Sequence, residues 1–318
     1  MDFGVATSSR GALGNRGSYI AVAEAAERLG FGFISVNDHI IVPRGIASRY
    51  PYSESGEWGG ATAGECLEQL STLSFLAGRT ERVRLLTSVM VVPQRPPVLA
   101  AKMLATVDVL SAGRLIVGCG VGWLQKEFEA LGAPAFAERG RATDEFLSAF
   151  KVLWTDEAPK LQARHVSFDN IMFAPKPITK PHPPIWIGGE SPQALGRVVR
   201  LGDGWYPASN NPQHRLDTAE RLAMGVNELA RIAESAGRDP KSIDVGFLVL
   251  WPVDWAAQKM AGGTRRLLTG QPEDMAADVA ALARAGVRHL CLTFQTASLA
   301  ETLERMQRFA EDVMPLVG

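Results

Sequence analysis

The sequence is poor in cysteine. Cys66, Cys119 and Cys291 lie far apart with no CxxC spacing, so neither a disulfide framework nor a structural zinc site is expected. It also lacks net charge, 33 Lys and Arg standing against 34 Asp and Glu. Nothing in that balance attracts nucleic acid or an anionic membrane. No apolar run approaches the ~18 residues of a membrane span, and the opening MDFGVATSSR has neither the basic nor the apolar part of a secretory signal. A cytoplasmic protein is therefore expected. Two motifs are missing as well. The first apolar run leads into TSSRGALGN where a dinucleotide-binding sheet would carry GxGxxG. Val5-Ala6-Thr7 stands where metal-dependent hydrolase barrels carry an HxH pair, and His165, His182, His214 and His289 are scattered, so no metal is expected.

What the chain does contain is the 46% apolar, 21% charged composition of an ordinary globular protein, arranged as short apolar runs alternating with amphipathic stretches. Strands are predicted over 2–7, 31–36, 83–92, 114–118, 184–187, 204–207, 243–250 and 289–293. Helices are predicted over 18–29, 65–79, 97–111, 192–201, 213–236, 272–285 and 299–314, with helical patterns at 125–131 and 137–154 after the fourth strand. Eight strand–helix units imply parallel strands with right-handed crossovers, and eight closes a (β/α)8 TIM barrel of the α/β class. Two departures from a minimal barrel stand out: a long polar, aromatic loop over 38–64 after the second strand, and a hairpin-like insertion over 165–174 before the fifth. No composition shift divides residues 1–318, so one domain is expected.

Barrel active sites lie at the C-terminal strand ends. The second strand ends in Asn37-Asp38-His39, a carboxylate beside an imidazole, which suits general acid–base work or simply opens a loop. The third runs through Thr87-Ser88-Val89, suited to packing against a flat ring or to a plain core. The fourth enters Gly118-Cys119-Gly120-Val121-Gly122-Trp123, where missing side chains let backbone N–H groups approach a ligand. The fifth ends in Gly188-Gly189-Glu190-Ser191-Pro192, a helix N-terminus open to an anion or an ordinary N-cap. Cys119 and Cys291 sit inside apolar strands and read as small hydrophobes.

Together these ends, with RPPVLAAKMLATVDVLSAGRLIVGCGVGWLQKEFEALG and KPITKPHPPIWIGGESPQALGRVVRLGDGW, resemble the luciferase-like monooxygenase family over nearly the whole chain. GVGW, SRYPY and PHPPIWIGG look most like its coenzyme F420-dependent oxidoreductase branch. The resemblance implies a TIM barrel with an insertion before the fifth strand. It implies that His39 is catalytic beside the flavin or deazaflavin ring and that Asp38 helps position the ring. It implies a bulge with a cis peptide at Ser88–Val89 behind the ring, and cofactor contacts from Gly120, Gly122, Gly188, Gly189, Glu190 and Ser191, the last four at the phosphate. Two positions depart from relatives: Val121 replaces the phosphate-binding Arg of bacterial luciferase, and Trp123 replaces a proposed catalytic Glu of the sugar-phosphate dehydrogenase. Arg265 and Arg266 are candidate substitute cations.

The expected activity is hydride exchange between coenzyme F420 and a small organic substrate, since a deazaflavin carries hydride and does not activate oxygen. The alternatives are an FMN-dependent two-component monooxygenase using O2 and a ligand-binding barrel without catalysis. A flavin or F420 reductase is an expected partner, and the family suggests a homodimer. Tyr50, Tyr52, Trp58 and Trp123 suggest a flat or apolar substrate face, or only rings that hold the loop.

Overall fold

The computed structural model describes residues 1–59, 64–260 and 262–317. Residues 60–63 of the long loop thus fall outside the described residues. The barrel strands are β1 (Asp2–Thr7), β2 (Phe33–Val36), β3 (Arg84–Thr87), β4 (Leu115–Gly120), β5 (Ile185–Gly188), β6 (Gly204–Tyr206), β7 (Asp244–Pro252) and β8 (His289–Thr293). Each pairs in parallel with the next, β1 pairs with β8, and β3 pairs with β4 through Leu85–Leu115 and Leu86–Ile116, so the sheet is closed. Closure leaves no strand edge and buries both faces, which is why these segments read as continuous apolar runs.

Inside the barrel, Phe33, Leu86, Ile116, Trp186, Tyr206 and Cys291 form one buried cluster. Such large rings need gaps opposite them. Gly4 provides one, because a Cβ there would lie 2.1 Å from the Phe33 ring. Outward residues of the same strands, among them Ile34, Leu85 and Val117, join a second cluster with the helices. Burial in the Cys291 environment pushes its thiol up to about 11, as expected for an inert cysteine.

Helices α1 (Arg16–Leu29), α2 (Gln69–Ala77), α3 (Pro97–Leu110), α4 (Gln125–Ala130), α5 (Arg139–Thr155), α6 (Pro192–Leu201), α7 (Ala219–Ser235), α8 (Pro272–Arg284) and α9 (Leu299–Asp312) surround the strands. Local chemistry sets their ends. Asn15 caps α1 through Ser18 N–H, and Gly30, with φ 83°, closes it. Thr218 caps α7 through Arg221 N–H, so that helix starts six residues later than the apolar spacing suggests and leaves 213–218 as loop.

Two expectations need correction. The third strand is not continuous: it breaks at the cis Ser88–Val89 bond and resumes as Met90–Val91. The insertion is a hairpin of Leu161–Gln162 with Ser167–Phe168, earlier than expected. Asn170, left-handed at φ 52°, ends the extended run, and Phe173 then serves as a buried plug. No helix among the described residues is long and apolar enough to cross a membrane.

Candidate active site

The strand ends open into a cavity of about 1030 Å³, and every site residue inferred from sequence except the candidate cations Arg265 and Arg266 lies on its wall. His39, delivered by the end of β2, points Nδ1 at Glu127 Oε2, 3.2 Å away. The other oxygen of Glu127 accepts the Ile40 and Ile41 N–H groups at 2.7 and 3.2 Å. Glu127 is buried on α4, where burial pushes its pKa up. The His39 hydrogen bond, the His39 charge and the Ile40 N–H more than offset that and leave it below its ordinary value of 4.5. The carboxylate therefore assigns Nδ1 as the protonated nitrogen and turns Nε2 over to the cavity side. Sequence reading passed over Glu127. Its one signal was an acidic residue in the first turn of a helix that follows a Gly-rich strand end.

Asp38 is placed differently from its expected role. Its side chain is 0% exposed and takes both Arg95 nitrogens, at 2.7 and 2.9 Å, plus the Val91 N–H at 2.9 Å. Arg95 in turn donates to Glu68 at 2.7 Å. Asp38 thus ties the β2 loop to the segment after β3, and through Arg95 to the start of α2. Its oxygens are taken up by the protein.

Val89 forms the cavity's apolar floor. Its side chain lies over two glycines: a Cβ on Gly120 would sit 2.6 Å from Val89 Cγ2, and one on Gly188 3.1 Å from Cγ1. Any larger residue at either site would drive the bulge into the cavity. Ser88 Oγ and Tyr206 OH, 3.1 Å apart, hold the bulge from below.

Across the barrel, Gly189 turns at φ 97° into the N-terminus of α6. Ser191 is its N-cap, accepting from Ala194 N–H at 3.2 Å; since Pro192 has no N–H, the hydroxyl hydrogen and the Gln193 N–H are what this helix start can offer an anion. Glu190 faces inward instead. It accepts from Ala208 N–H at 2.8 Å and Asn211 at 2.7 Å, and burial raises its pKa. The cation of this end is Arg139, on the cavity wall, its guanidinium hydrogen-bonded to the Gly122 and Phe136 carbonyls at 3.2 and 2.9 Å. No carboxylate among the described residues pairs with it. It reaches from α5 into the turn where Val121 stands. Arg265 and Arg266 do not serve this purpose. Arg265 is bound bidentately by Asp278, Arg266 lies over Trp251, and neither lines the cavity.

The loop after β2 brings Tyr50, Tyr52 and Trp58 to Trp123. Trp58 lies 4.5 Å from His39 and 5.4 Å from Trp123, and Tyr50 5.1 Å from Trp123, between ring centres. These rings close over the imidazole.

The His39 imidazole, the Ser88–Val89 bulge and the Gly189–Ser191 turn line one cavity at the strand ends of the barrel. Residues 1–254 match the family described as luciferase-like monooxygenase. The chain belongs to that family. Among its luciferase-like relatives, the uncharacterized protein Rv0940c of Mycobacterium tuberculosis is 30% identical over 253 residues, 79% of this chain and 84% of its own length. The FMNH2-dependent dimethylsulfone monooxygenase of Pseudomonas putida is 31% identical over 176 residues, 55% of this chain and 46% of its own. An F420-dependent secondary alcohol dehydrogenase, solved with an F420–acetone adduct, superposes with TM-score 0.76 at 18% identity over 100% of this chain and 99% of its own. That identity supports the shared barrel alone. An FMNH2-dependent monooxygenase is thus among the chain's relatives in sequence, and F420-dependent enzymes are among the structures that share its barrel.

Proposed function

We propose that this luciferase-like protein is an oxidoreductase that passes a hydride between reduced coenzyme F420 and a small organic substrate. The observation that carries this reading is the His39–Glu127 pair, a positioned proton donor at the closed end of a cavity with an apolar floor. The residues present suit a flat ring with a phosphate. Val89 gives the ring an apolar surface, while the Ser191 hydroxyl, the Gln193 N–H and Arg139 suit the anion.

When bound, the deazaflavin supplies the hydride. The chain supplies what a hydride acceptor then needs. A carbonyl that gains hydride on carbon must gain a proton on oxygen; His39 in its doubly protonated form would deliver it from Nε2 and be left as the neutral ring whose Nδ1–H Glu127 holds. Trp58, Trp123 and Tyr50 keep water from the reacting centre.

The second reading, FMNH2-dependent oxygenation with a partner reductase, draws on the Pseudomonas putida relative. Titrating the purified protein separately with F420 and FMN, and following cofactor fluorescence, tests the choice. Tight binding of F420 alone is expected, and binding of FMN alone would replace the first reading with the second. A cytoplasmic homodimer is part of the same proposal.

A further inference from the structure

The loop after β2 and the loop after β6 meet above the cavity. In a closed ring of eight strands β2 and β6 stand opposite each other, four places apart in either direction. Residues 48–52 of the first loop and 211–214 of the second line the cavity, so the two loops face each other across its mouth. Among the described residues one hydrogen bond joins them: Arg215 Nη2 donates to Glu54 Oε1 at 2.5 Å. Both side chains are exposed, Arg215 to 47% and Glu54 to 71%.

The two sides of this bridge are built differently. The β6 loop is a fixed post: Asn211 Nδ2 donates to the buried Glu190 at 2.7 Å, Asn211 Oδ1 accepts Gln213 N–H at 3.0 Å, and Leu216 is buried. The tip of the β2 loop is bonded within itself. Tyr50 N–H donates to the Gly56 carbonyl, Arg49 Nη2 to the Glu54 carbonyl and Ser53 Oγ to the Glu57 carbonyl, each at 2.8 Å. The tip is held at its ends, where Gln125 N–H donates to Ser48 Oγ at 3.2 Å and the Trp58 ring packs on His39. Between those ends the Glu54 bond is the one hydrogen bond, among the described residues, that ties 49–57 to the rest of the chain. Such a segment moves as one body, because its internal bonds survive when the outside bond breaks.

Breaking that bond costs little. Water replaces the partner of an exposed charge, and Arg215 keeps a second carboxylate in Asp217, 3.8 Å from Nη1. The underside of the tip is what the chemistry needs covered. Tyr50 and Tyr52 line the cavity, and the Tyr50 ring lies 5.1 Å from that of Trp123. A cavity that excludes water during hydride transfer and first admits a large ring requires a cover that opens.

Building on the reading of this cavity as the cofactor and substrate site, we infer that residues 49–57 are a lid over its mouth, latched shut by the Glu54–Arg215 ion pair. Release swings the tip about Ser48 and Trp58 while Arg215 turns to Asp217. The latch is electrostatic and exposed, so added salt opens it.

The test first reads the lid without a ligand. Diethyl pyrocarbonate acylates an imidazole that solvent reaches, and peptide mass spectrometry gives its rate at His39, which is 8% exposed at the bottom of the covered mouth. Glu54→Ala and Arg215→Ala should each raise that rate about two- to fivefold, the scale of one exposed ion pair. The double variant should be no faster than either single one, because one contact can be lost only once. Salt at ~1 M should bring wild type toward the variants and leave the variants nearly unchanged. Stopped-flow fluorescence with F420 then reads passage through the mouth, and association and dissociation should both quicken in the variants by a similar factor. Wild-type labelling rates in both single variants would overturn the latch, as would single effects that multiply in the double variant or a wild-type rate indifferent to salt. Faster labelling with unchanged F420 rates would overturn the lid as the gate for the cofactor. A protein that binds no F420 defeats the proposed function, while the His39 labelling still decides the latch.

Discussion

Glu127 Oε2 lies 3.2 Å from His39 Nδ1, joining a β2 strand end to the first turn of α4 across 88 positions of sequence. The contact makes His39 a directed group. A free imidazole at a loop start would sample both tautomers, whereas a buried carboxylate that also binds two loop N–H groups fixes ring and loop together.

Removing either partner should therefore have separable effects. His39→Ala should lower the single-turnover hydride-transfer rate by about 10²–10⁴-fold, the usual contribution of a general acid, with cofactor affinity nearly intact. Glu127→Gln should cost less, about tenfold, because the ring remains but loses its fixed tautomer, and it should alter the pH profile of the same step. Rates at saturating cofactor and substrate report this chemistry without product release. A wild-type rate in the Ala variant would remove His39 from the reaction.

At the anion end, Ser191→Ala and Arg139→Met should each weaken cofactor binding by several-fold to about tenfold. Gly189→Asp should weaken it further, by placing a negative charge and a side chain at φ 97°. Wild-type binding should also weaken as salt rises, and Arg139→Met should flatten that dependence. Fluorescence titrations at two salt concentrations check this. Unchanged affinity in Gly189→Asp would mean that the phosphate lies elsewhere.

Arg95→Met tests the ion pair beneath the loop. Breaking a buried pair from one side leaves Asp38 charged and uncompensated, a loss of about 3–5 kcal/mol. Chemical denaturation should show it, together with loss of the aromatic lid's order. A variant as stable as wild type would show that Asp38 does not hold this loop.

Two carboxylates should give stability opposite dependences on pH. Glu127 is held below 4.5 in the folded protein, so its contribution is present above 4.5 and is lost as pH falls through its folded value. Glu190 is raised by burial, so the folded state favours its protonated form. That contribution is present in acid and is lost as pH rises through the raised value. The Tm gap between wild type and Glu127→Gln should therefore shrink on acidification. The gap to Glu190→Gln should shrink as pH rises toward neutrality. Thermal melts across the acid range check both signs, and parallel curves would show that neither carboxylate titrates differently in the folded state.

Assembly is the last expectation. Light scattering at micromolar concentration should report a homodimer, and a monomer there would reject it.

The order of strands and helices was legible because each apolar run and each cap is a local matter: Asn15, Gly30 and Pro192 act on neighbours within a turn. The same locality made Gly188, Gly189 and Ser191 readable as the turn into a capped helix, and Asn37-Asp38-His39 readable as a polar strand end. Where elements meet in space, spacing carried no information. The hairpin lies at Leu161–Gln162 and Ser167–Phe168, and Phe173, beyond it, is buried in the core. Asp38 became a structural ion because Arg95 lies 57 positions away and folds back onto it. Arg265 is held by Asp278, while Arg139, from another helix, lies on the cavity wall. Pattern along a chain records which face of a strand or helix is buried. Which charges pair, and which remain facing the cavity, depends on distances of a few ångströms between segments far apart in sequence, and only the closed barrel sets those.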